Sequence, residues 1–328
     1  MKKRKAQHQL LLTFDVEDFI NNRSVGAFHA VLELLRKHGL KGLFFITGHM
    51  AEKLTSFPKI LSLLDSHEIG FHSSAHSVHP TIFEYCDVES YEEAYLMTLE
   101  RETAHINPLS GAIEGSGGIN VLRKLFPSKE VLAYRAPGYC CPPPHLEAMA
   151  HLGIKHDFSM NLSAVCVSYK GITFYPLPIF LDGAETLCGE TEMLNWAMLL
   201  NSIMRKKTTI LNFHIDRFIN ETWWDSIYHE RNPSELRTVL SKETQQTASM
   251  IYRMDALLKA TKVFEGLGIV NTLPCLSKAE NELDLSNIDI RRILDMYTFW
   301  PRIFFGYKSK HVQSHFSRFF DCQIGARI

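Results

Sequence analysis

Short, mostly apolar runs alternate along this chain with segments whose apolar residues recur every three or four positions. The first run, residues 10–14, stops abruptly at Asp15 and predicts a buried strand. Similar runs predict strands or extended segments at 42–47, 68–71, 131–134, 155–160, 173–180, 208–215 and 268–273. Helical spacing predicts helices at 25–38, 60–65, 91–105, 144–152, 192–204 and 234–261.

Alternation of short apolar strands with helices is typical of a parallel sheet built from right-handed crossovers. Seven or eight such units predict an α/β fold, a deformed (β/α) barrel, over residues 1–276. The sequence turns polar and acidic near residues 277–287. We therefore predict that residues 277–328 form a separate C-terminal helical tail, rich in aromatic and basic residues.

Composition narrows the class of protein. Hydrophobic residues make up 45% of the 328 positions, which allows a large core. The 35 basic and 36 acidic residues nearly cancel, and this balance argues against broad electrostatic binding of nucleic acid. The seven cysteines include no CxxC pair, and the basic start leads into an apolar run too short for a signal-peptide core. We expect a cytoplasmic protein with reduced thiols.

Polar residues of catalytic types follow several of the predicted strands. In parallel α/β folds the carboxyl ends of the strands meet at one edge, where active sites gather. The residue types found there are acids, histidines and one arginine, as in a metal-assisted hydrolase. These residues are Asp15, Glu17, Asp18, His72, His76, Arg135, Asp157, His214 and Asp216.

His72 and His76 lie four positions apart and follow the third predicted strand. Together with one carboxylate they can supply three ligands to a divalent ion, most suitably Zn²⁺, and leave one position open for water. Such water becomes acidic enough to attack a carbonyl near neutral pH. A second carboxylate can accept the proton, and a further histidine can donate one to a leaving amine.

Five motifs occur in a fixed order at these strand ends: TFDVED, HSSAH, RAPGY, HDFSM and LNFH. In this order they resemble the NodB-type polysaccharide deacetylases, carbohydrate esterase family 4. The segments GLFFITGHMAE and SHEIGFHSSAH are similar to that family's second and third strands. The matching segments lie within residues 11–215, roughly two thirds of the chain. The resemblance implies metal-dependent removal of an N-acetyl group from an amino sugar in a polysaccharide, oligosaccharide or saccharide precursor.

The resemblance also implies roles for individual residues. Asp15 would be the general base that takes a proton from the attacking water. His72 and His76 would bind the metal. Arg135 would hold and orient Asp15 through a charge-assisted contact.

For the remaining motifs the resemblance implies a general acid and an oxyanion site. His214 would donate a proton to the leaving group and would be steadied by Asp157. The backbone around Gly138 and Tyr139 would donate hydrogen bonds to the oxyanion.

The first motif departs from the commonest family pattern, which has two adjacent aspartates. Here Asp15 is followed by Val16, Glu17 and Asp18. If the chain stays extended, Asp15 and Glu17 point to the same side, and Glu17 becomes the carboxylate ligand. A tight turn after Val16 would present Asp18 instead. The D-x-D/E spacing also occurs in a family branch that includes hydrolases of cyclic ureides and formyl-sugar enzymes.

Three functions therefore stay open at this point. The first is a sugar-amide deacetylase, and the second is a hydrolase of another non-peptide C–N bond, in a formamide or a cyclic ureide. The third is a catalytically inactive barrel that acts as a binding protein. The retained site residues disfavour the third.

The aromatic and basic tail has two interpretations. It forms a helix packed on the barrel, or it is a peripheral membrane contact that lies among lipid headgroups. The residues concerned are Phe299, Trp300, Ile303, Phe304, Phe305, Tyr307, Phe316, Phe319 and Phe320, interleaved with Arg302, Lys308, Lys310, His311 and Arg318.

Overall fold

The computed structural model describes residues 8–180, 208–220, 222–237, 247–272, 276, 279, 281–287 and 289–321. The helix predicted at 192–204 lies outside these residues, as do the side chains of Trp300, Phe304 and Phe305.

The strands of the described residues form one large sheet and one hairpin. They are β1 (His8–Val16), β2 (Leu43–Ile46), β3 (Glu68–Phe71), β4 (Ala104–Ile106), β5 (Ile113–Ser116), β6 (Ala133–Tyr134), β7 (His156–Asp157), β8 (Val167–Tyr169), β9 (Ile172–Phe174), β10 (Ile179–Phe180), β11 (Thr208–His214), β12 (Val270–Thr272) and β13 (Asn281–Glu282). The large sheet has the order β10-β11-β1-β2-β3-β6-β7-β9-β8-β13, with β12 beside the start of β1. Its path from β10 to β9 is parallel throughout. This curled, mostly parallel sheet confirms the predicted deformed barrel.

The α-helices of the described residues pack around this sheet. They are α1 (Asn22–His38), α2 (Gly48–Leu54), α3 (Pro58–Leu64), α4 (Ile82–Tyr85), α5 (Tyr91–Glu102), α6 (Gly118–Leu125), α7 (Pro143–His151), α8 (Thr247–Gly266), α9 (Ile290–Phe305) and α10 (Val312–Phe319). Short 3-10 helices follow at Pro137–Tyr139, Ile215–Phe218, Trp224–Tyr228 and Leu285–Asn287. None of the described helices combines the length and the apolar character that a membrane crossing requires.

The central strand, β1, places the first acidic motif. Its apolar residues are buried because β11 lies on one side and β2 on the other. The register pairs Asp15 with His214 of β11 and with Phe45 of β2. Two motifs that lie about 200 residues apart in sequence are therefore brought side by side by strand pairing.

Several predicted elements have different bounds in the structure. The helix predicted at 91–105 ends at Glu102, because the Thr103 hydroxyl bonds back to the Leu99 carbonyl and the next residues enter the hairpin strand β4. The helix predicted at 234–261 has no helical residues at 234–237, and the described helix is α8. The helices α2, α4 and α6 were not predicted, since each has about two turns or fewer and is too short to show a helical period over a longer window.

The C-terminal helices contact the barrel through specific polar groups. Asp87, in the loop between α4 and α5, accepts hydrogen bonds from the hydroxyls of Tyr307 and Ser309 and from the backbone N–H groups of Lys310 and His311. Phe316, Phe319 and Phe320 are buried in the same core cluster as the barrel residues. These contacts favour the packed-helix interpretation of the tail.

Candidate active site

Asp15 lies at the carboxyl end of β1 and is held from two sides. One carboxylate oxygen accepts from the Arg135 guanidinium at 2.7 Å, and the other accepts from the Asn212 amide at 2.8 Å. The His214 Nε2 lies 3.4 Å from the second oxygen. Burial opposes ionisation, but the charge of Arg135, helped by the neighbouring histidines, outweighs it and lowers the pKa of Asp15. Asp15 is therefore an ionised, oriented carboxylate.

Arg135 is itself fixed in position by several contacts. It is fully buried, and its guanidinium donates to the side-chain amide oxygen of Asn212 at 2.5 Å and to the Thr13 hydroxyl at 3.0 Å. The guanidinium carbon lies 4.2 Å from the centre of the Phe45 ring, which adds a cation–π contact. The pair of Asp15 and Arg135 is therefore a rigid unit at the strand ends.

Glu17, His72 and His76 form the second part of the site. Each offers one ligand atom, and these atoms all lie within 4.8 Å of one another. The Nε2 atoms of His72 and His76 lie 3.1 and 2.8 Å from the same Glu17 oxygen. The His72 Nδ1 donates to the Arg135 carbonyl oxygen at 2.7 Å, so Nε2 is the nitrogen that faces Glu17. The residues present therefore fit a divalent cation.

His76 is oriented by the Ser77 hydroxyl, which is itself bonded to a carboxylate. Its Nδ1 lies 2.7 Å from the Ser77 hydroxyl, which donates to Asp225 at 2.5 Å. Because that hydroxyl hydrogen is used, Ser77 accepts from Nδ1, and Nε2 is left to bind a proton or a cation. Histidine ligands of metals are commonly oriented by such a second hydrogen bond.

The electrostatics of the pocket also favour a cation. Glu17 is buried, and burial opposes its ionisation. The imidazoles of His76 and His72 outweigh burial and hold the pKa of Glu17 well below its usual range. A buried, ionised carboxylate beside two imidazoles attracts positive charge.

Asp18 makes a different set of contacts. Its carboxylate accepts from the backbone N–H groups of Ile20 at 3.1 Å and Asn21 at 2.9 Å, and from the Ser24 hydroxyl. These bonds fix the entry to α1 and use both carboxylate oxygens. Of the two carboxylates left open by the sequence, the geometry favours Glu17 as the ligand.

Asp157 lies at the end of β7, close to the site but bonded to its own loop. Its carboxylate accepts from the backbone N–H groups of Ser159 at 3.1 Å and Met160 at 2.6 Å. Burial raises its pKa to about 6, against the opposing effect of these bonds and of Arg135. The structure thus shows Asp157 as a loop cap, and its role in steadying His214 stays a prediction.

The turn predicted to bind the oxyanion has two consecutive residues in the left-handed region, Gly138 at φ 57° and Tyr139 at φ 59°. The Tyr139 N–H donates to the Ala136 carbonyl at 3.0 Å. In this conformation the Tyr139 amide is therefore engaged within the turn, and a contribution from Gly138 stays a prediction. The Tyr139 ring packs edge-on against Phe180.

Three residues of the site, Asn212, Trp224 and Asp225, were not predicted, and Asp216 was given no role. Asn212 bridges Asp15 and Arg135, but the sequence does not show which face of the strand this polar side chain lies on. Trp224 donates from its indole N–H to Glu17 at 2.9 Å, and Asp225 follows it in a segment without periodicity. Asp216 was noted only as a strand-end residue. It is buried, its carboxylate oxygens have no hydrogen-bond partner among the described residues, and burial together with the charge of Glu17 raises its pKa well above the usual range.

Comparisons with known proteins agree with the motifs. The family model for polysaccharide deacetylase matches residues 2–120. Comparison with curated protein sequences finds no significant match.

Solved structures give similar folds at low identity. A Streptococcus mutans CE4 esterase is 14% identical, with 78% of this chain and 83% of that chain covered and a TM-score of 0.43. The Bacillus subtilis peptidoglycan deacetylase PdaC is 13% identical, with 80% and 96% covered and a TM-score of 0.37. A 4-alpha-glucanotransferase from Thermococcus litoralis is 12% identical, with 85% and 42% covered and a TM-score of 0.52. At these identities the structural likeness concerns the fold alone.

The family match extends from before β1 to α6, so it includes the first two of the five motifs and the Glu17, His72 and His76 group. It confirms the resemblance predicted from the motif order. Over residues 2–120 the chain is therefore similar to the polysaccharide deacetylases, hydrolases that act on the amide bonds of acetylated sugars.

Proposed function

We propose that this protein is a Zn²⁺-dependent deacetylase that hydrolyses the N-acetyl amide of an amino sugar in a polysaccharide, oligosaccharide or saccharide precursor. The observation that carries the proposal is the position of Glu17. Its carboxylate faces the imidazoles of both His72 and His76, and it lies directly after the end of β1, close to Asp15. A ligand group and an ionised base thus lie two residues apart at the end of one strand.

The proposed metal ligands are Glu17, His72 and His76. Two imidazoles and one carboxylate match the donor set of catalytic zinc sites, in which a further position stays open. A divalent ion held there would polarise the amide carbonyl and lower the pKa of water. The chain's own contribution is to fix the donor atoms, since His72 is held by a backbone carbonyl and His76 by Ser77 and Asp225.

In the proposed reaction Asp15 accepts the proton of the attacking water. Its low pKa keeps it ionised, and the bonds from Arg135 and Asn212 keep its carboxylate plane fixed. His214 donates a proton to the amine that leaves. Its ring lies against Trp223 at a centroid distance of 4.9 Å and stacks with Phe180 at 6.1 Å. These rings restrict the orientation of the imidazole.

The preference for an acetylated sugar rests on the family resemblance. A second candidate is the hydrolysis of a formamide or a cyclic ureide, since the geometry favours Glu17 and therefore the D-x-E spacing of that branch. We also propose a cytoplasmic location, with which the free thiols of Cys86, Cys140 and Cys141 are consistent.

Release of acetate tests the proposed function. The purified protein is assayed on N-acetylglucosamine oligomers, a formyl-amino sugar and a cyclic ureide, before and after treatment with a chelator. We expect acetate from an N-acetylated sugar, lost on chelation and restored by Zn²⁺. Asp15→Asn should lower the rate by about 100-fold or more, whereas Asp255→Asn, at an acid that pairs with Lys37 outside the site, should retain it.

Two results would contradict the proposal. Faster hydrolysis of the ureide or the formamide than of any acetylated sugar would favour the second candidate. Acetate release that neither the chelator nor Asp15→Asn changes would exclude the proposed mechanism.

A further inference from the structure

The loop between the two proposed histidine ligands has an unusual backbone. Ser73 has φ 68° and His76 has φ 47°, so two residues with side chains lie in the left-handed region. Such conformations are unfavourable for residues other than glycine and persist only where surrounding contacts impose them. The loop that spaces His72 from His76 must therefore be held from outside.

Glu102, at the end of α5, supplies such contacts. Its side chain is buried, and one carboxylate oxygen accepts from the Ser73 hydroxyl at 2.8 Å. The other oxygen accepts from the Ser74 backbone N–H at 2.7 Å. One carboxylate thus takes donors from the two residues that directly follow His72.

The opposite side of the loop is held by helix α2. The backbone N–H groups of Gly48 and His49 donate to the carbonyl oxygens of Ser73 and Ser74 at 2.9 and 3.1 Å. Donors of the loop therefore bond to Glu102 and its acceptors bond to α2. This two-sided arrangement explains how the left-handed conformation at Ser73 is maintained.

A buried chain of hydrogen bonds holds Glu102 in turn. The Tyr85 hydroxyl donates to the Glu102 carboxylate at 3.1 Å, because a carboxylate only accepts. The Tyr85 oxygen lies 3.1 Å from the His145 Nδ1, and the His145 Nε2 lies 2.7 Å from the Tyr134 hydroxyl. Burial lowers the pKa of His145 to about 3, so its imidazole is neutral. With the proton on Nδ1, His145 donates to the Tyr85 oxygen and accepts from the Tyr134 hydroxyl at Nε2. This series of hydrogen bonds ends at Tyr134, the residue before Arg135.

We infer that Glu102 is a positioning residue of the metal site, which sets the spacing of the His72 and His76 imidazoles by holding Ser73 and Ser74. The inference rests on the proposed function, because it assumes that these histidines bind a metal ion. It assigns a role to a residue outside the five motifs, on a helix whose sequence predicts only a charged amphipathic segment. Removing the carboxylate should therefore weaken metal binding without removing any ligand.

The test measures Zn²⁺ affinity by competition with a chromophoric chelator, using metal-free protein. For Glu102→Gln we expect the dissociation constant to rise by about 10- to 100-fold, the usual effect of losing a group that orients metal ligands. Ser73→Ala removes one of the two loop contacts and should give a smaller rise. Tyr85→Phe keeps both loop contacts and should give the smallest.

Leu258→Ala is the matched control for a loss of stability alone. Leu258 is fully buried on α8, outside the loop and its hydrogen-bonded chain, so this variant should lower the unfolding midpoint and leave the Zn²⁺ dissociation constant unchanged. If Glu102→Gln does not fold, the comparison of Ser73→Ala with Leu258→Ala decides the question. The inference would be overturned if Ser73→Ala and Glu102→Gln both had Zn²⁺ dissociation constants within about twofold of the parent value. Failure of the parent protein to bind Zn²⁺ would overturn the proposed function, and the inference with it.

Discussion

The pair of Asp15 and Arg135 allows a quantitative test of the site that needs no substrate. Both side chains are buried, and the guanidinium lies 2.7 Å from the carboxylate. Arg135→Met keeps most of the side-chain length and removes the charge. The substitution leaves a buried carboxylate without its main cationic partner and also removes the bonds to Asn212 and Thr13.

The expected cost follows from this burial. Removing one partner of a buried ion pair costs about 3–5 kcal/mol of the free energy of unfolding, because the other charge stays buried and uncompensated. Asp15→Asn should carry a cost of the same kind. The double variant Arg135→Met with Asp15→Asn removes both charges, so its cost should be lower than the sum of the single costs by about 2–3 kcal/mol.

The assay is urea unfolding followed by far-UV circular dichroism at pH 7 in the presence of a chelator. Four proteins are compared in a double-mutant cycle: the parent, the two single variants and the double variant. Arg101→Met is the matched control, because Arg101 is a buried arginine that donates to the Gly111 carbonyl and stacks on Tyr85. Its combination with Asp15→Asn should be additive within about 0.5 kcal/mol. A coupling energy for Arg135 and Asp15 no larger than that of this control would refute the reasoning.

Three further predictions concern the metal ligands and the tail. Trp224→Phe removes the N–H that bonds Glu17 and should raise the Zn²⁺ dissociation constant by about 10-fold in a competition titration, and an unchanged affinity would show that this bond does not orient the ligand. Zn²⁺ at a hundred times its dissociation constant should stabilise the metal-free protein by about 2.7 kcal/mol and raise its unfolding temperature. His72→Ala should abolish this rise, and an equal rise in that variant would show that the ion binds elsewhere. Asp87→Asn should cost about 1–3 kcal/mol and speed proteolysis of the tail. Burial opposes the ionisation of Asp87, but hydrogen bonding from the tail outweighs burial and lowers the pKa of its carboxyl group. The contribution of Asp87 to the free energy of unfolding should therefore be present above about pH 4 and be lost as the pH falls below that value. The same acid dependence in Asp87→Asn would contradict this prediction.

The sequence predicted most of the sheet because buried parallel strands have short apolar runs with clear ends. The run before Asp15 and the segment Glu68–Phe71 are examples, and the second matches the structure at both ends. The grouping of Glu17, His72 and His76 followed from one rule, that the carboxyl ends of parallel strands meet at one edge. The choice between Glu17 and Asp18 needed coordinates, because it depends on where α1 begins and which carboxylate bonds its first turn.

Residues that act through other residues could not be predicted in this way. Glu102 lies on a helix whose charged residues look solvent-exposed in the sequence, yet its side chain is buried under the ligand loop. Trp224 and Asp225 lie in a segment that has no apolar period, and their contacts depend on a turn after β11. Neither hydrophobic spacing nor motif order carries information about such contacts, since each depends on the path of an irregular segment.

The most direct test of the proposed metal site is the activation of metal-free protein by stoichiometric Zn²⁺, with acetate release from an N-acetylated amino sugar as the signal. Convergence of Glu17, His72 and His76 on a single ion predicts that the rate rises linearly and reaches its plateau at one equivalent per chain. Glu17→Gln should remove that plateau, whereas Asp255→Asn should keep it. A rate that is already maximal in the metal-free protein, or that reaches its plateau equally in Glu17→Gln, would contradict the central claim.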